Sequence, residues 1–239
     1  MFRMTPTPSL IYCLFFCFVV LSFPACSPSA EKGDSDVFEE EGLAEQEAQG
    51  AEGENAPLLL FFGNSLTAGY GLDAEESFPG LVEARLKELE IAYRVVNAGL
   101  SGETTASGLT RLDWFLEEEP AIFVLELGAN DGLRGIALTE TEKNLRSMIQ
   151  LVQERYPDAA ILLAGMQIPP NMGTEYAEAF RQLFPRIAAE EGVTLIPFLL
   201  ERVAGDPDLN LPDGIHPTAE GHAIVFETIW PFLAPLVGA

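Results

Sequence analysis

Short apolar runs and amphipathic stretches alternate along the chain from Leu58 onward. The apolar runs have the length of buried strands, and the stretches between them repeat apolar residues at helical spacing. The pattern predicts strands at Leu58–Phe62, Tyr93–Asn97, Ala121–Leu127, Ala160–Met166 and Thr194–Phe198. It predicts helices at Phe78–Leu89, Thr105–Glu118, Thr139–Tyr156, Tyr176–Glu191 and Thr218–Leu236, the last broken at Pro231. This alternation indicates an α/β protein with helices on both faces of a five-stranded parallel sheet.

The N-terminus carries a different pattern. Arg3 precedes Leu10–Leu21, an unbroken apolar run of 12 residues. The run is too short to span a bilayer, because a spanning helix needs about 20 apolar residues. A positive residue followed by a short apolar run predicts an export signal, which we place at residues 1–25.

Two processing routes are open at the end of this signal. Ala25 directly before Cys26 resembles a bacterial lipobox, in which Cys26 becomes the lipidated first residue of the mature chain. Phe23 and Pro24 depart from the common lipobox pattern, and Phe23 also fits ordinary signal cleavage badly. We predict a lipid anchor on Cys26, with a free secreted protein as the alternative.

The composition changes sharply after Cys26. Residues 27–56 contain ten acidic residues and one lysine, with few large apolar side chains. Such a segment repels itself and cannot bury a core, so residues 26–56 are predicted to be an acidic disordered linker. The remaining residues 57–239 have the size of a single domain.

The net charge and the cysteines exclude several functions. A formal charge of −24 argues against a nucleic-acid binder, because phosphate affinity comes largely from lysine and arginine. The three cysteines are Cys13, Cys17 and Cys26, so the predicted domain has no thiol for catalysis or a disulfide. Two histidines and no thiol give little for zinc, and neither a metal nor an organic cofactor is expected.

A serine follows the first predicted strand. Ser65 lies in GNSLTAG, three residues after Phe62, where open parallel sheets place their sites. There it could serve as a nucleophile and its N–H as an anion donor, although a serine at such a turn is more often a helix cap. The motif G-x-S-x-G of the α/β-hydrolases is absent at this turn.

The next two strands are followed by candidate anion donors. Gly99 follows the second strand, and its exposed N–H could donate to an oxyanion, although a glycine turn is the ordinary interpretation. Asn130 follows the third strand in GAND, and the ordinary interpretation of this motif is a turn. Its amide carries two donors without a charge, as suits a negative charge that exists only in a transition state.

The histidines lie near the C-terminus. His216 lies in the predicted loop DGIHP, three residues after Asp213. His222 falls inside the last predicted helix and is expected to be a packing or surface residue. An aspartate at this spacing can hold the imidazole tautomer and stabilise its charged form. The sequence therefore predicts Ser65, Asp213 and His216 as a hydrolytic triad in that chain order.

The motifs GNSLTAG, GAND and DGIHP, together with Gly99, resemble the four blocks of the GDSL or SGNH hydrolases. The resemblance extends from about Leu58 to near Val237 and includes VLELGANDGLRG and MQIPPNMG. These stretches are similar to those of bacterial periplasmic esterases with acyl-CoA thioesterase, lysophospholipase or arylesterase activity. The resemblance implies a flavodoxin-like, three-layer α/β/α sandwich.

It also implies roles for individual residues. Ser65 would be the nucleophile, His216 the base and Asp213 its orienting carboxylate. The Ser65 and Gly99 amides and the Asn130 side chain would form the oxyanion hole. The family usually has aspartate where this chain has Asn64, which affects the hydrogen bonding of the turn and not the triad.

The sequence narrows the substrate less than the reaction. The loop Met166–Tyr176 after the fourth strand is expected to form a wall for an acyl chain, its alternative being a structural connection. Export and a strongly acidic chain favour neutral or zwitterionic esters, such as lysophospholipids or aryl esters, over acyl-CoA, with thioesters as an in vitro activity. Deacetylation of glycans is an alternative reaction, and an anchored binding lipoprotein is the non-enzyme alternative.

The expected setting follows from the same features. We expect a monomer in the bacterial cell envelope, attached by its lipid anchor alone at the outer membrane or the periplasmic face. The expected partner is a small ester or lipid substrate, without nucleic acid.

Overall fold

The computed structural model describes residues 56–239, and its five strands form one parallel sheet. The strands are β1 (Leu58–Gly63), β2 (Arg94–Gly99), β3 (Pro120–Glu126), β4 (Ala160–Ala164) and β5 (Thr194–Ile196). Their order across the sheet is β2-β1-β3-β4-β5, and every neighbouring pair is parallel. The chain reverses its direction of winding between β1 and β3, where a doubly wound sheet opens its binding crevice.

Helices cover both faces of this sheet. They are α1 (Ser65–Ala68), α2 (Phe78–Glu88), α3 (Thr105–Arg111), α4 (Ala129–Leu133), α5 (Leu138–Arg155), α6 (Thr174–Glu191) and α7 (Ala219–Val237). Short 3-10 turns lie at Ala74–Glu76, Leu112–Phe115 and Pro170–Met172. Helices α2 and α7 pack against each other, while α3, α5 and α6 pack in series. These contacts give the predicted α/β/α arrangement, which is confirmed.

The two central strands form the core. Every residue of β1 is buried, because a parallel sheet with helices on both faces leaves neither side of its strands to solvent. Successive phenylalanines serve opposite layers: Phe61 packs edge-on against Phe78 of α2, and Phe62 packs against Phe115, which follows α3. This packing on both faces explains why the strand appears in the sequence as a continuous apolar run.

Two predicted helices differ from the observed ones. The prediction of one helix over Thr105–Glu118 is wrong, because α3 ends at Arg111 and a 3-10 turn follows. Such 3-10 turns are frequent at the C-terminal ends of α-helices, and this one buries Leu112 in the core. The predicted break at Pro231 is also wrong, since α7 continues through it. Pro231 lies on the exposed side of the helix, where a carbonyl that loses its N–H partner can bond water.

The predictions for the N-terminus lie outside the described residues. These are the export signal, the lipid anchor on Cys26 and the acidic linker, which stay predictions. Within residues 56–239, no helix combines the length and the apolar character needed to cross a membrane.

Candidate active site

Ser65 is fixed at the carboxyl end of β1. Asn64 is the N-cap of α1, and its side-chain Oδ1 accepts a hydrogen bond from Leu66 N at 3.0 Å. Ser65 is the first residue of the helix and is almost buried, so the cap role that competes with catalysis belongs to its neighbour. Ser65 lines the cavity described below.

Ser65, His216 and Asp213 form one hydrogen-bonded chain. His216 Nε2 lies 2.9 Å from Ser65 Oγ, and His216 Nδ1 lies 2.7 Å from Asp213 Oδ2. An ionised Asp213 accepts the Nδ1 proton, which leaves Nε2 unprotonated and able to accept from the serine. The structure thus brings together the three residues predicted from the two ends of the domain.

Asp213 is held as an anion by local donors. Its Oδ1 accepts from the backbone N–H of Ile215 at 3.0 Å and of His216 at 3.1 Å. These bonds, first that of Ile215 and then the imidazole contact, lower the pKa of Asp213 to about 2. The carboxylate of Asp213 is therefore ionised at neutral pH.

The loop of the imidazole is anchored by its neighbours. Leu211 N donates to the His216 carbonyl at 2.7 Å, and Asn210 pairs with Pro217 in an isolated antiparallel bridge. The Tyr70 ring lies 4.5 Å from the His216 ring, centroid to centroid, and covers one of its faces. Tyr70 was missed in the sequence, although it directly follows the GNSLTAG motif.

Asn130 lies where the third strand opens into α4. Its Nδ2 donates to the Glu103 carbonyl at 3.1 Å, which fixes the amide and leaves its second N–H available. Asn130 lines the same cavity as Ser65 and His216. The structure therefore places this predicted donor at the site.

The structure does not bring Gly99 to the site. Its N–H donates to Asn97 Oδ1 at 3.0 Å, and it does not line the cavity. A Cβ at Gly99 would lie 2.2 Å from Ala68 N, so this glycine allows the end of β2 to pack against α1. Gly102, three residues on and at φ +80°, lines the cavity instead. Within residues 56–239, the Gly102 N–H has no acceptor.

Buried charged residues support this end of the sheet, and the sequence pattern did not reveal them. Glu126, the last residue of β3, accepts four hydrogen bonds from Asn64 and Thr67 on either side of Ser65. Burial raises the pKa of Glu126 to about 7, against the lowering effect of these donors. The available signal was a single acidic residue inside the apolar run VLEL.

A second pair of charged residues lies beside the loop that follows β2. Glu103, whose carbonyl orients Asn130, is ion-paired with Arg111. The Arg111 guanidinium also donates to the Ala98 carbonyl at 2.8 Å and lies over the Phe62 ring, 4.4 Å from its centroid. The loop after β2 is therefore tied to the core beside the donors.

A cavity of about 730 Å³ opens at Ser65 and His216. Its apolar wall comes from the strand ends and from the loops after β4 and β5 and includes Leu133, Met166, Ile168, Phe198 and Leu200. Of the predicted wall Met166–Tyr176, the first four residues line it. Within the described part of the chain, the lining contains no lysine, arginine, aspartate or glutamate. The cavity thus fits an uncharged, largely apolar group.

His222 belongs to the core and not to this site. Its Nδ1 accepts from Phe78 N at 3.1 Å, and its ring stacks on that of Phe78. Burial, and then the charge of His216, lowers the pKa of His222 to about 4. The residues that the structure describes contain no group of three or more histidine, cysteine, aspartate or glutamate side chains suited to a metal.

Comparisons with known proteins agree on one family. Residues 61–224 match the model of the GDSL-like Lipase/Acylhydrolase family. Esterase TesA of Pseudomonas aeruginosa is 45% identical over 183 residues, which cover 76% of this chain and 90% of the relative. Thioesterase 1/protease 1/lysophospholipase L1 of Escherichia coli is 38% identical over 183 residues, covering 76% and 86%.

Solved structures give the same result. A crystal structure of TesA matches with a TM-score of 0.71 and 44% identity, covering 75% of this chain and 99% of that one. The psychrotrophic esterase EstA from Pseudoalteromonas, in a structure inhibited by monoethylphosphonate, matches with a TM-score of 0.71 and 31% identity, covering 76% and 99%.

Proposed function

This chain belongs to the GDSL-like lipase/acylhydrolase family and is a carboxylic ester hydrolase, and on that premise we propose that it acts through a Ser65–His216–Asp213 triad. The observation that carries the proposal is the unbroken hydrogen-bonded chain from Ser65 Oγ through the imidazole to Asp213, which begins in an uncharged apolar cavity. A nucleophile, a base and an orienting group in contact are the signature of acyl transfer.

The reaction proceeds in two steps. His216 Nε2 takes the proton of Ser65 as Oγ attacks the ester carbonyl, and the imidazolium then gives that proton to the departing alcohol. Water attacks the resulting acyl-serine, with His216 again taking the proton and returning it to Ser65 as the acid leaves. Asp213 stays ionised throughout and stabilises the imidazolium.

The oxyanion hole consists of three donors. We assign them to the Ser65 N–H, the Gly102 N–H and the Asn130 Nδ2, in place of the Gly99 amide expected from the sequence. Neither backbone N–H has an acceptor within residues 56–239, and Asn130 keeps one amide proton free. EstA is inhibited by monoethylphosphonate, and because a tetrahedral phosphonate resembles the intermediate of acyl transfer, this supports acyl transfer as the reaction class proposed for this chain.

The proposed substrates are esters with an uncharged, apolar acyl group. Aryl esters and lysophospholipids fit this description, and thioesters share the same carbonyl chemistry. The names of the two bacterial relatives include esterase, thioesterase and lysophospholipase, which supports the range. We propose in addition an exported enzyme anchored through Cys26, where lipids lie within reach. An acidic chain whose described cavity lining contains no lysine or arginine does not attract anionic coenzyme A esters.

Active-site labelling tests the triad. A fluorophosphonate probe should label the wild-type domain and Ser101→Ala, which removes another serine of the cavity, but not Ser65→Ala. Label retained by a folded Ser65→Ala protein would refute the assigned nucleophile, and a wild-type protein that takes no label would favour the binding lipoprotein.

A chain-length series of p-nitrophenyl esters then separates the two enzymatic candidates. Turnover of medium chains supports an acyl pocket, as the cavity volume predicts. Turnover of acetate alone would favour glycan deacetylation instead.

A further inference from the structure

Asn64 and Glu126 form a matched donor and acceptor pair directly beneath Ser65. Asn64 Nδ2 donates to Glu126 Oε1 at 2.6 Å, and the backbone N–H of Asn64 donates to Oε2 at 3.1 Å. Thr67, two residues beyond the serine, adds its N–H at 3.2 Å and its hydroxyl at 2.8 Å to the same Oε2. One buried carboxylate therefore holds the residues on both sides of the nucleophile.

The fold reserves space for this carboxylate. Gly63 is the register partner of Glu126 across β1 and β3, and a Cβ there would lie 2.7 Å from Oε2 and 2.1 Å from Thr67 Oγ1. Contacts this close do not occur with a real side chain, so the glycine is required by the pair. Gly63 therefore leaves the space that the Glu126 carboxylate and the Thr67 hydroxyl occupy.

Glu126 also decides which way the Asn64 amide points. Because Nδ2 faces the carboxylate, Oδ1 faces α1, where it accepts from Leu66 N at 3.0 Å and lies 3.3 Å from Ser65 Oγ. A reversed amide would set its oxygen against Glu126 and its donors against the Leu66 N–H. The hydrogen bonds at the nucleophile are thus set by a residue 62 positions away.

All four contacts to Glu126 come from donors, and the pair requires no proton of its own. The titratable groups on neighbouring elements bond elsewhere: His216 to Ser65 and Asp213, Asp131 to Thr105, and Glu103 to Arg111. None of them hydrogen-bonds Glu126. Burial raises its pKa to about 7, so at alkaline pH the carboxylate is ionised and fully paired.

We propose that Asn64 and Glu126 are positioning residues that hold the Ser65 turn without a shared proton, so that its geometry persists at alkaline pH. With aspartate at position 64, as in the usual family block, two carboxylate oxygens would meet where Nδ2 and Oε1 now meet. Two buried carboxylates in contact keep one proton between them, and they repel when that proton is lost. This inference rests on Ser65 as the proposed nucleophile.

Four variants test the pair: Asn64→Asp, Glu126→Gln, the double variant, and Asn171→Asp as a surface control for the added charge. Their kcat and KM on p-nitrophenyl butanoate are measured relative to wild type between about pH 6 and about pH 10. We expect relative kcat of Asn64→Asp to fall about tenfold or more across this range, because the shared proton is lost. Relative KM should stay constant, and Asn171→Asp should follow wild type.

The double variant distinguishes a specific pair from general damage. Glu126→Gln alone sets two donors against each other and should lower kcat by a constant factor at every pH. In the double variant the amide introduced at position 126 donates to the carboxylate introduced at position 64, so kcat should rise above that of Glu126→Gln and lose the alkaline fall. A wild-type pH profile for Asn64→Asp, or the same loss from Glu126→Gln in both backgrounds, would overturn the proposal.

A readout without catalysis separates this inference from the triad. In the Ser65→Ala background, Asn64→Asp should lower the unfolding free energy increasingly as pH rises, since the folded pair binds a proton that the unfolded chain does not. Glu126→Gln should remove that slope. If Ser65→Ala keeps esterase activity, the triad is wrong whatever the slope shows; if the slope is absent while Ser65→Ala is inactive, the pair alone is wrong.

Discussion

His216 and His222 lie six residues apart, and the structure gives their side chains different partners. Each imidazole uses a nitrogen lone pair as an acceptor: Nε2 of His216 faces the hydroxyl of Ser65, and Nδ1 of His222 faces the backbone N–H of Phe78. In the proposed mechanism the serine proton moves to Nε2, and Asp213, in contact with the second nitrogen of His216, stabilises the resulting charge. A peptide N–H does not give up its proton, so His222 is a structural acceptor.

Their electrostatic surroundings differ in the same sense. Asp213 stabilises a positive charge on His216, whereas His222 stacks on Phe78 in the core, where burial opposes the charge. A histidine becomes a base when its acceptor nitrogen meets a transferable proton and its other nitrogen meets an anion. Residue type and spacing alone do not distinguish the two cases.

Removing the imidazole of His216, the proposed base, should have the largest effect. We expect His216→Ala to lower kcat by about 10⁴-fold or more, because Ser65 would lose the base that we propose for it. The unfolding temperature should change little, since His216 lies on a surface loop. Steady-state kinetics and thermal unfolding on one preparation check both, with His222→Gln as the matched histidine control; near-normal kcat in folded His216→Ala would contradict the assignment.

Removing the Asn130 amide, a proposed oxyanion donor, leaves both histidines intact and should have the next largest effect. We expect Asn130→Ala to lower kcat by about 10²- to 10³-fold, with a smaller change in KM, since the amide acts on charge that develops only in the transition state. Single-turnover acylation by a p-nitrophenyl ester measures the effect at the chemical step. Full activity in Asn130→Ala would refute the role of this amide.

The sheet and the reactive groups were predictable for a physical reason. Continuous apolar runs and helical periodicity report local burial, and the carboxyl ends of parallel strands share one edge. Ser65 and Asn130 were therefore expected at one place before any contact was known. Asp213 and His216 were found because three residues of separation allow their side chains to meet.

The site residues that the sequence did not reveal depend on contacts between distant parts of the chain. Gly99 ends β2 and Gly102 lies three residues later, and the turn between them brings Gly102, but not Gly99, to the cavity. Glu126 is one residue of a buried strand, and the groups that donate hydrogen bonds to it lie about 60 positions earlier in the chain. The Glu103–Arg111 pair likewise matters because the Glu103 carbonyl meets Asn130, 27 residues away. Sequence periodicity carries no record of such partners.

The pH dependence of the unfolding free energy tests the structural role of His222. Burial lowers the pKa of His222 to about 4, so the unfolded chain binds its proton more readily than the folded one. Stability from a neutral His222 is therefore complete above about pH 6.5 and is lost as pH falls toward about 4. Glu126 acts in the opposite sense: burial raises its pKa to about 7, so the unfolding free energy falls as pH rises from about 4.5 to about 7, although the ionised carboxylate keeps its four hydrogen bonds.

The two effects partly cancel in the wild-type protein, and a difference between variants separates them. His222→Gln keeps an acceptor for Phe78 N–H but does not titrate, so its unfolding free energy should fall less than that of wild type on acidification, by up to about 3 kcal/mol near pH 4. Chemical denaturation at several pH values measures this difference. Repeating it in His216→Ala removes the smaller contribution of that charge, and most of the difference should remain, because burial is the larger cause. Parallel curves for wild type and His222→Gln would show that His222 titrates as it does in water, and the contrast between the two histidines would then rest on geometry alone.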